Sequence, residues 1–460
     1  MSGEANKFLT RRELLPAAAA AFTIVPRHVL GAGYTAPSDR LSIAAVGVGG
    51  MGQNYIKGCA SENIAAIADV DHDFAAPVLK QYPAARVYKD YRQMLDKETG
   101  IDAVIVGTPD HSHSVVASAA IALKKGVYVA KPMTRTMYEA RLLARAAREQ
   151  RVATQMSVQS TSTDPAVTTE EWIKSGAIGK INEVHVWTDR PVWPQGLARP
   201  EDVVGAPPSL DWDLWLGPAP ARPYDPIYHP FNFRGWHDFG TGALGDMACH
   251  AFHIIVKALA LGAPASVSAE RTVIRERLKS GEKPDSDWTR SKVGNYPETF
   301  PSSSIVTWDF PARGGQPPLR MVWYDGGLRP PRPRDLASDR PMGDHGLMWV
   351  GEKGTLMSGF SGGMRFLSER QEKSLAPPPK TLPRTRDHYM EWVNACKGGP
   401  PANCNFEFAA PLTEIALLGV IAQRTGRFLL WDAASMRFRN DAEATALLTP
   451  EYRKGWTLAA

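Results

Sequence analysis

Cysteine is scarce in this 460-residue chain, which has four cysteines and no Cys-x-x-Cys pair. Structural zinc sites and dithiol redox motifs depend on closely spaced cysteines. The four residues are widely scattered, at Cys59, Cys249, Cys396 and Cys404. We therefore expect free thiols in the protein core and no disulfide framework.

Long blocks of one charge and internal repeats are missing as well. The formal net charge of +5 arises from 53 basic and 48 acidic residues, and basic residues never run together for more than a few positions. Such a distribution does not favour nucleic acid as a partner, and we expect none. The length exceeds that of an ordinary single domain, so the sequence predicts two domains, each with its own core.

Apolar runs long enough to span a membrane are also lacking. The apolar, alanine-rich run from Leu14 to Val25 is too short to cross a bilayer as a helix. It follows the pair Arg11 and Arg12, and this arrangement resembles a twin-arginine (Tat) export signal. We expect residues 1–33 to engage the Tat machinery, with a periplasmic location and membrane anchoring if the segment is not cleaved. The alternative is an alanine-rich N-terminal helix.

A glycine-rich loop follows a short apolar run in "LSIAAVGVGGMG". Gly47, Gly49 and Gly52 fit the G-x-G-x-x-G pattern, in which glycine lets the backbone turn sharply and approach a pyrophosphate. A second apolar run ends at Asp69, close to the spacing at which a carboxylate accepts hydrogen bonds from the adenosine ribose. These features predict a bound dinucleotide, NAD rather than NADP. A glycine-rich turn without a ligand is the alternative.

Alternating strand and helix patterns continue to about residue 157. Their rhythm is typical of a parallel, doubly wound sheet, which binds ligands beyond the carboxyl ends of its strands. Such ends carry Thr108, Pro109, His111 and Lys131. We place a dinucleotide-binding domain at residues 40–157 and a second domain at residues 158–460. Within the second domain, the proline- and glycine-rich stretch from 190 to 230 is expected to wrap over a sheet without forming a core of its own.

Four short segments together resemble the Gfo/Idh/MocA family of oxidoreductases: "GVGGMG", "TPDHSH", "AKP" and "GALGDMACH". The resemblance extends from Leu41 to the C-terminus. It implies an α/β protein with an N-terminal Rossmann domain and a C-terminal α/β domain with a large, mostly antiparallel open-faced sheet. In the family this sheet often forms the oligomer interface, so we expect a homodimer or homotetramer. The family's usual glutamate before Lys-Pro is replaced here by Ala130.

The resemblance also implies which residues act. The family's catalytic lysine, aspartate and histidine correspond to Lys131, Asp246 and His250, with His250 as general base and Asp246 orienting it. Asp246 and His250 are also four residues apart, which places them on one face of a helix. The cofactor is expected to contact Gly47, Gly49, Gly50, Met51, Gly52, Asp69, Thr108, Pro109, His111 and Lys131.

Other interpretations of this helix remain open. Asp246 could be a helix N-cap and His250 a core histidine with local partners. A metal site formed with His253 is disfavoured, because chelating histidines on a helix are usually four residues apart and His253 is three from His250. No metal is expected.

Aromatic faces and polar side chains suited to a sugar ring surround these motifs in the sequence. The candidate substrate contacts are Gln155, Trp187, Arg190, Trp193, Arg234, Trp236 and His237. The expected function is that of an exported oxidoreductase that transfers hydride between a carbohydrate hydroxyl and tightly bound NAD. Alternatives are a glycosidase, epimerase or eliminase that uses transient oxidation, and a non-catalytic dinucleotide- and sugar-binding protein.

Overall fold

A computed structural model describes residues 39–286, 291–385 and 387–459. Its first half contains a six-stranded parallel sheet with the order β3-β2-β1-β4-β5-β6. The strands are β1 Ser42–Val46, β2 Asn63–Ala68, β3 Arg86–Tyr88, β4 Ala103–Val106, β5 Gly126–Val129 and β6 Thr154–Met156. The helices are α1 Gly52–Gly58, α2 His72–Gln81, α3 Tyr91–Lys97, α4 His113–Ala122 and α5 Met137–Gln150, with a 3-10 turn at Asp110–Ser112.

This strand order is that of a dinucleotide-binding Rossmann domain. The central strands β4 and β5 are buried along their whole length, because helices cover both faces of a parallel sheet and leave only apolar residues stable there. The predicted N-terminal fold is confirmed.

The second half is built on a nine-stranded sheet with the order β15-β14-β13-β7-β12-β11-β8-β16-β17. Its strands are β7 Ile181–Trp187, β8 Ser266–Arg271, β11 Ser304–Phe310, β12 Leu319–Tyr324, β13 Gly346–Gly351, β14 Gly354–Gly359, β15 Gly362–Phe366, β16 Leu429–Asp432 and β17 Arg437–Phe438. A separate hairpin pairs β9 Arg275–Arg277 with β10 Ser291–Val293. The helices are α6 Asp164–Lys174, α7 Trp212–Leu216, α8 Gly242–Leu259, α9 Glu369–Ser374, α10 His388–Cys396, α11 Phe406–Thr425 and α12 Ala442–Ala446, with 3-10 turns at Gln159–Ser162 and Asn232–Gly235.

Only β7 and β12 pair in parallel within this sheet, and every other neighbouring pair is antiparallel. The predicted C-terminal domain is thereby confirmed. Along β11, buried and half-buried residues alternate, as expected where one sheet face is covered. Helix α11 lies on that face, and the Trp308 indole donates to the Ile415 carbonyl at 3.0 Å.

Helix α11 is also the one described helix long and apolar enough to cross a membrane, and 78% of its apolar window is buried in the protein. We therefore assign it to the protein core.

The four cysteines are free thiols, as predicted, and three of them are buried.

Residues 188–241 form an excursion between β7 and α8 that packs against the Rossmann domain. Asp71 and Leu210 form an isolated antiparallel bridge, and the Asp211 amide donates to the Val70 carbonyl at 2.9 Å. The excursion also buries an aromatic cluster of its own, which includes Trp215, Trp236 and Phe239. The expectation that residues 190–230 form no core was therefore wrong, because their tryptophans and tyrosines pack on one another.

Candidate active site

A cleft of about 1210 Å³, counted out to its open mouth, lies at the carboxyl ends of the parallel strands. The glycine loop and the residues after β2, β4 and β5 form one side, and the excursion forms the other. Eight of the ten predicted cofactor contacts line it, namely Gly47, Gly49, Gly50, Met51, Asp69, Thr108, Pro109 and Lys131. The strand ends thus place these residues around one space, as a doubly wound sheet requires.

The glycine loop is shaped by close backbone approaches. Gly47 has a φ of +77°, and a β-carbon there would lie 2.7 Å from the Thr108 amide nitrogen. A β-carbon on Gly52 would lie 2.0 Å from the Gly47 carbonyl oxygen. Gly52 therefore stands behind the cleft and allows α1 to pack against the loop, whereas Gly49 and Gly50 line the cleft.

Asp69 is fixed at the end of β2 by three backbone amides. Its Oδ2 accepts from Val48 at 2.7 Å and from Gly49 at 3.3 Å, and its Oδ1 accepts from Asp71 at 3.0 Å. Burial raises the pKa of this carboxyl group despite these donors. The carboxylate joins the glycine loop to the next strand end and lines the cleft where an adenosine ribose would lie.

The cleft fits a dinucleotide on its own chemistry. The Thr108 hydroxyl oxygen is buried and has no hydrogen-bond partner among the described residues, so it is available to a polar ligand group. Glycine backbone at 47, 49 and 50 leaves room for phosphates, and Asp69 supplies an acceptor for ribose hydroxyls. These residues would hold NAD.

His111 is not part of the cleft, contrary to expectation. Its ring is buried beside Trp215 and Phe239, with ring nitrogens 2.9 Å and 3.2 Å from their respective carbonyl oxygens. Burial lowers its pKa to about 4. His113 lines the cleft instead, because the 3-10 turn before α4 directs the two histidines to different sides. Both histidines stand in "TPDHSH", and nothing in that pattern distinguishes them.

Lys131 and Asp246 meet at the end of β5. The Lys131 ammonium donates to the Asp246 backbone carbonyl at 2.7 Å and to its carboxylate oxygen Oδ1. Asp246 lies within α8, which begins at Gly242 and has Thr241 as its N-cap residue, so it is not a helix cap. Both side chains are largely shielded, with exposed fractions of 14% and 10%.

Arg234 is the second cation on Asp246. Its Nε donates to Oδ1 at 3.1 Å, the same oxygen that Lys131 contacts. Burial alone would raise the pKa of Asp246, but the charges of Lys131 and Arg234 lower it to about 2. The carboxylate is therefore ionised at neutral pH and carries two positive partners.

His250 lies one helical turn after Asp246 and is half-buried. It has no hydrogen bond to any described residue, and none to Asp246 in particular. The expected orientation of His250 by direct contact with Asp246 is absent, and Lys131 and Arg234 contact the carboxylate oxygen Oδ1 instead. Burial and the charge of Lys131 lower the pKa of His250 to about 3, so its imidazole is neutral.

Two residues that the sequence analysis missed support Lys131 from behind. The Lys131 amide donates to the Ser157 hydroxyl at 3.0 Å, and the Tyr55 hydroxyl lies 3.1 Å from that same oxygen. Burial raises the pKa of Tyr55 to about 12, so its hydroxyl keeps its proton. Tyr55 and Ser157 lie 102 positions apart in the chain, so no local sequence pattern indicates that they pair.

Of the seven expected substrate contacts, Arg234 lines the cleft and Trp193 lies behind it. The Trp193 indole is buried and donates to the Gln195 side chain at 2.9 Å. Phe231 and Phe233 line the cleft beside Arg234 and were missed.

The other five expected contacts are placed elsewhere. Trp187 is fully buried at the end of β7 and donates to the Gly343 carbonyl at 3.2 Å, while Trp236 is fully buried in the aromatic cluster of the excursion. Gln155 is buried and donates to the His388 carbonyl. Arg190 pairs with Asp189 at 2.9 Å at the surface, and His237 lines a smaller, separate cavity. These side chains pack in the protein interior or pair with neighbouring groups, and none of them lines the cleft.

The described residues contain no group of three His, Cys, Asp or Glu side chains placed to hold a metal ion. His253 is buried and its Nε2 lies 2.9 Å from the Ser160 hydroxyl, which accounts for it as a core residue with a local partner.

Two family profiles match the chain, one on each domain. Residues 41–158 match the oxidoreductase family's NAD-binding Rossmann fold, and residues 181–270 match the C-terminal α/β domain of the same Gfo/Idh/MocA group. Residues 41–158 and 181–270 are thus similar to the two domains of Gfo/Idh/MocA oxidoreductases. The N-terminal domain of the chain is an NAD-binding Rossmann domain, which agrees with the cofactor expected from Gly47 and Asp69.

Curated relatives match over part of their length. Levoglucosan dehydrogenase of Pseudarthrobacter phenanthrenivorans is 26% identical over 115 residues, 25% of this chain and 29% of the relative. Inositol 2-dehydrogenase 1 of Saccharopolyspora erythraea is 30% identical over 98 residues, 20% of this chain and 29% of the relative. The matched region thus spans less than a third of each of these relatives.

Solved structures agree in fold across most of the chain. The WlbA dehydrogenase of Bordetella pertussis, in complex with NADH and UDP-GlcNAcA, has a TM-score of 0.57 at 15% identity, covering 85% of this chain and 99% of its own. A levoglucosan dehydrogenase in complex with NADH and L-sorbose has a TM-score of 0.54 at 18% identity, covering 86% and 100%. At these identities the likeness concerns the fold alone.

Proposed function

We propose that the protein is an NAD-dependent oxidoreductase that transfers hydride between a secondary hydroxyl of a sugar, sugar derivative or polyol and bound nicotinamide. The observation that carries the proposal is the position of Lys131, which lies after β5 on the wall of the dinucleotide cleft and is held there by Asp246 of α8. A cation in this position suits an alcohol oxygen that gains negative charge as its hydride leaves.

The chain's own residues handle the hydroxyl group. Bound NAD would supply the hydride acceptor. The Lys131 ammonium has three donors, of which Asp246 takes two, so one remains for the substrate oxygen. Asp246 fixes the direction of the ammonium, and Ser157 fixes the backbone beneath it.

His250 is the proposed proton acceptor. It is neutral and half-buried, and no described residue occupies its ring nitrogens. Because burial and Lys131 lower its pKa to about 3, the resting imidazole is unprotonated and can accept a hydrogen bond from the substrate hydroxyl. General acid–base catalysis needs a group within reach of the hydroxyl, and α8 carries His250 one turn from Asp246.

The carbohydrate class draws support from the relatives. The curated matches include levoglucosan and inositol dehydrogenases, whose substrates carry several neighbouring secondary hydroxyls. The aromatic side chains of Phe231 and Phe233 on the cleft wall suit the apolar face of a sugar ring.

We further propose that the protein is exported through the Tat pathway with its cofactor already bound. The signal at residues 1–33 lies outside the described residues, so this rests on the sequence. The excursion supports retention of the cofactor, because it joins the dinucleotide side of the cleft through several contacts. Lys89 donates to the Ser209 carbonyl at 3.0 Å, and His229 Nε2 lies 3.0 Å from Asp71 Oδ2.

A retained cofactor favours one second candidate function. A nicotinamide that cannot exchange must be returned to its starting state within the same site. Transient oxidation, as in an NAD-dependent glycosidase, epimerase or eliminase, meets that condition, and so does coupled oxidation of one sugar and reduction of another. The observation that favours these reactions is the pair of contacts that Ser209 and His229 of the excursion make with Lys89 and Asp71 of the Rossmann domain.

Native mass spectrometry followed by spectroscopy tests the proposal. The purified protein should carry NAD or NADH by mass, and a panel of sugars and polyols should change the absorbance of its nicotinamide. Loss of the cofactor on dialysis, with activity only when NAD is added back, would contradict retention but not oxidoreduction. Sugar binding with no absorbance change and no product would support a non-catalytic binding protein instead.

Localisation is tested by cell fractionation of the wild type and of a variant with lysine at both Arg11 and Arg12, which should stay in the cytoplasm.

A further inference from the structure

Arg234 has hydrogen-bonding capacity that the protein itself does not use. Its Nε donates to Asp246 Oδ1 at 3.1 Å, and none of the described residues accepts from its two terminal nitrogens. A guanidinium carries five donors, so the four on Nη1 and Nη2 remain available. The side chain lines the cleft with an exposed fraction of 16%. These donors are therefore shielded from bulk water yet accessible to a substrate.

Aromatic rings hold this guanidinium in place. Its central carbon lies 4.6 Å from the ring centre of Phe233, 5.2 Å from that of Phe231 and 5.9 Å from that of Trp193. Cation–π contacts of this kind hold the guanidinium against the rings and restrict its movement. Because the rings hold the group and its Nε is bonded to Asp246, Nη1 and Nη2 form a preorganised fork.

Among the described residues, no carboxylate other than Asp246 accepts a hydrogen bond from Arg234. Asp246 is shared with Lys131, so one negative charge faces two positive charges. Asp69 is occupied by backbone amides, Asp110 accepts from the Thr241 hydroxyl at 2.7 Å, and Asp90 pairs with Arg92. Two positive side chains therefore share the one carboxylate of Asp246, and the terminal nitrogens of Arg234 have no carboxylate partner among the described residues.

We propose that Arg234 binds a carboxylate of the substrate, so that the enzyme acts on a sugar acid of the uronate or aldonate class and not on a neutral sugar. The inference rests on the proposed function, since it names the substrate of the same site. A planar fork with two parallel N–H donors matches a carboxylate. A phosphate dianion would need a further cation, and the one remaining donor of Lys131 is assigned to the substrate hydroxyl oxygen.

The geometry also restricts where that carboxylate lies on the substrate. Lys131 and Arg234 contact the same oxygen of Asp246, so the free edge of Arg234 is close to the ammonium that receives the hydroxyl oxygen. The carboxylate and the oxidised carbon must then belong to one sugar unit. A carboxylate on a distant substituent would not satisfy both groups.

Matched pairs of ligands test the proposal with the cofactor-loaded protein. Glucuronate and galacturonate are compared with glucose and galactose, and glucose 6-phosphate is included as a phosphate ester. Binding is measured by calorimetry, and kcat/KM by nicotinamide absorbance. The variants are Arg234→Met and Arg234→Lys, with Arg329→Met as control, because Arg329 pairs with Asp344 at the surface, 2.9 Å away, and lines no part of the cleft.

At least one uronate should bind about 10-fold or more tightly than its parent sugar. Arg234→Met should cost that uronate about 10- to 100-fold in affinity, as expected for loss of a charge-assisted bidentate contact. The parent sugar should change far less, and Arg234→Lys should restore part of the loss. A role confined to supporting Asp246 would instead lower kcat/KM equally for acid and neutral members of a pair.

The outcomes separate this inference from the proposed function. Arg234-dependent uronate binding with neither a change in nicotinamide absorbance nor any product would uphold the inference and refute the oxidoreductase function. Turnover that favours the neutral sugar in every pair would uphold the function and overturn the inference. Equal losses for both members of a pair, or a preference for glucose 6-phosphate over both uronates, would also overturn it.

Discussion

Lys131 donates to both the backbone carbonyl and the carboxylate of Asp246, although 115 residues separate them in the chain. One residue follows the fifth strand of the Rossmann sheet and the other lies on the first long helix after the excursion. This contact fixes the position of a charged ammonium against the cofactor cleft. The proposed chemistry depends on it.

Replacing Lys131 with methionine should remove the donor to the substrate oxygen while leaving the volume similar. Turnover should fall by about 10³-fold or more, since a preorganised electrostatic donor is lost. Bound dinucleotide, measured by mass spectrometry, should be unchanged. Residual turnover within about 10-fold of the wild type would remove Lys131 from the mechanism.

Replacing Asp246 with asparagine should lower stability as well as activity. Its pKa is about 2 in the folded protein against an ordinary value of 3.8, so its ionised form stabilises the fold above pH 3.8. That contribution is lost as the pH falls through the folded value, and it amounts to about 2 kcal/mol at neutral pH. The free energy of unfolding of the wild type should exceed that of the variant near neutral pH.

The difference between wild type and Asp246→Asn should shrink as the pH is lowered towards 2. Asp189→Asn is a matched control, because Asp189 forms an exposed ion pair with Arg190, and exposed pairs contribute little. A difference independent of pH would show that the substitution acts through packing and not through charge.

The pH profile of kcat/KM should show no titration of His250 near its ordinary pKa of 6.5. Its pKa is lowered to about 3 by burial and by Lys131, so the imidazole stays neutral between about pH 5 and pH 8. The profile of kcat/KM should therefore show no acidic limb near 6.5. His250→Asn should lower kcat by about 10²- to 10⁴-fold across this range. An acidic limb near 6.5 that disappears in the variant would refute the neutral assignment.

His229 should slow the release of the cofactor. Its contact with Asp71 joins the excursion to the start of α2 on the dinucleotide side of the cleft. His229→Ala should speed dissociation of NAD by about 3- to 10-fold, the effect of losing one partly buried hydrogen bond. The half-time is measured by competition with a labelled dinucleotide. The control is His72→Ala, on α2 next to Asp71. An equal effect of this substitution would show that the excursion has no specific role in holding the cofactor.

The fold and much of the cofactor cleft could be predicted from the sequence, because both follow from local patterns. Glycine spacing at Gly47 to Gly52 and the strand end at Asp69 are dictated by backbone geometry within one βαβ unit. The same patterns could not decide whether His111 or His113 faces the cleft. That choice depends on a single 3-10 turn and on the aromatic residues that surround His111.

The expected side-chain contacts of the site were partly wrong, because they depend on residues that are far apart in the chain. Helical spacing favoured contact between Asp246 and His250, but Lys131 and Arg234 reach Asp246 from other segments and bind it more strongly as charges. Trp187 and Trp236 were expected at the substrate, yet both are fully buried. A tryptophan's preference for packing is visible in sequence, whereas the partner it packs against is not.

The most direct test of the central claim is a single-turnover measurement on the protein as purified, with no cofactor added. Nicotinamide absorbance is followed after mixing with the carbohydrate that binds best, for the wild type and for Lys131→Met. Hydride transfer predicts an absorbance change in the wild type, stoichiometric with bound dinucleotide and absent from the variant. A wild-type protein that carries NAD and binds the carbohydrate but yields neither an absorbance change nor any product would contradict the account.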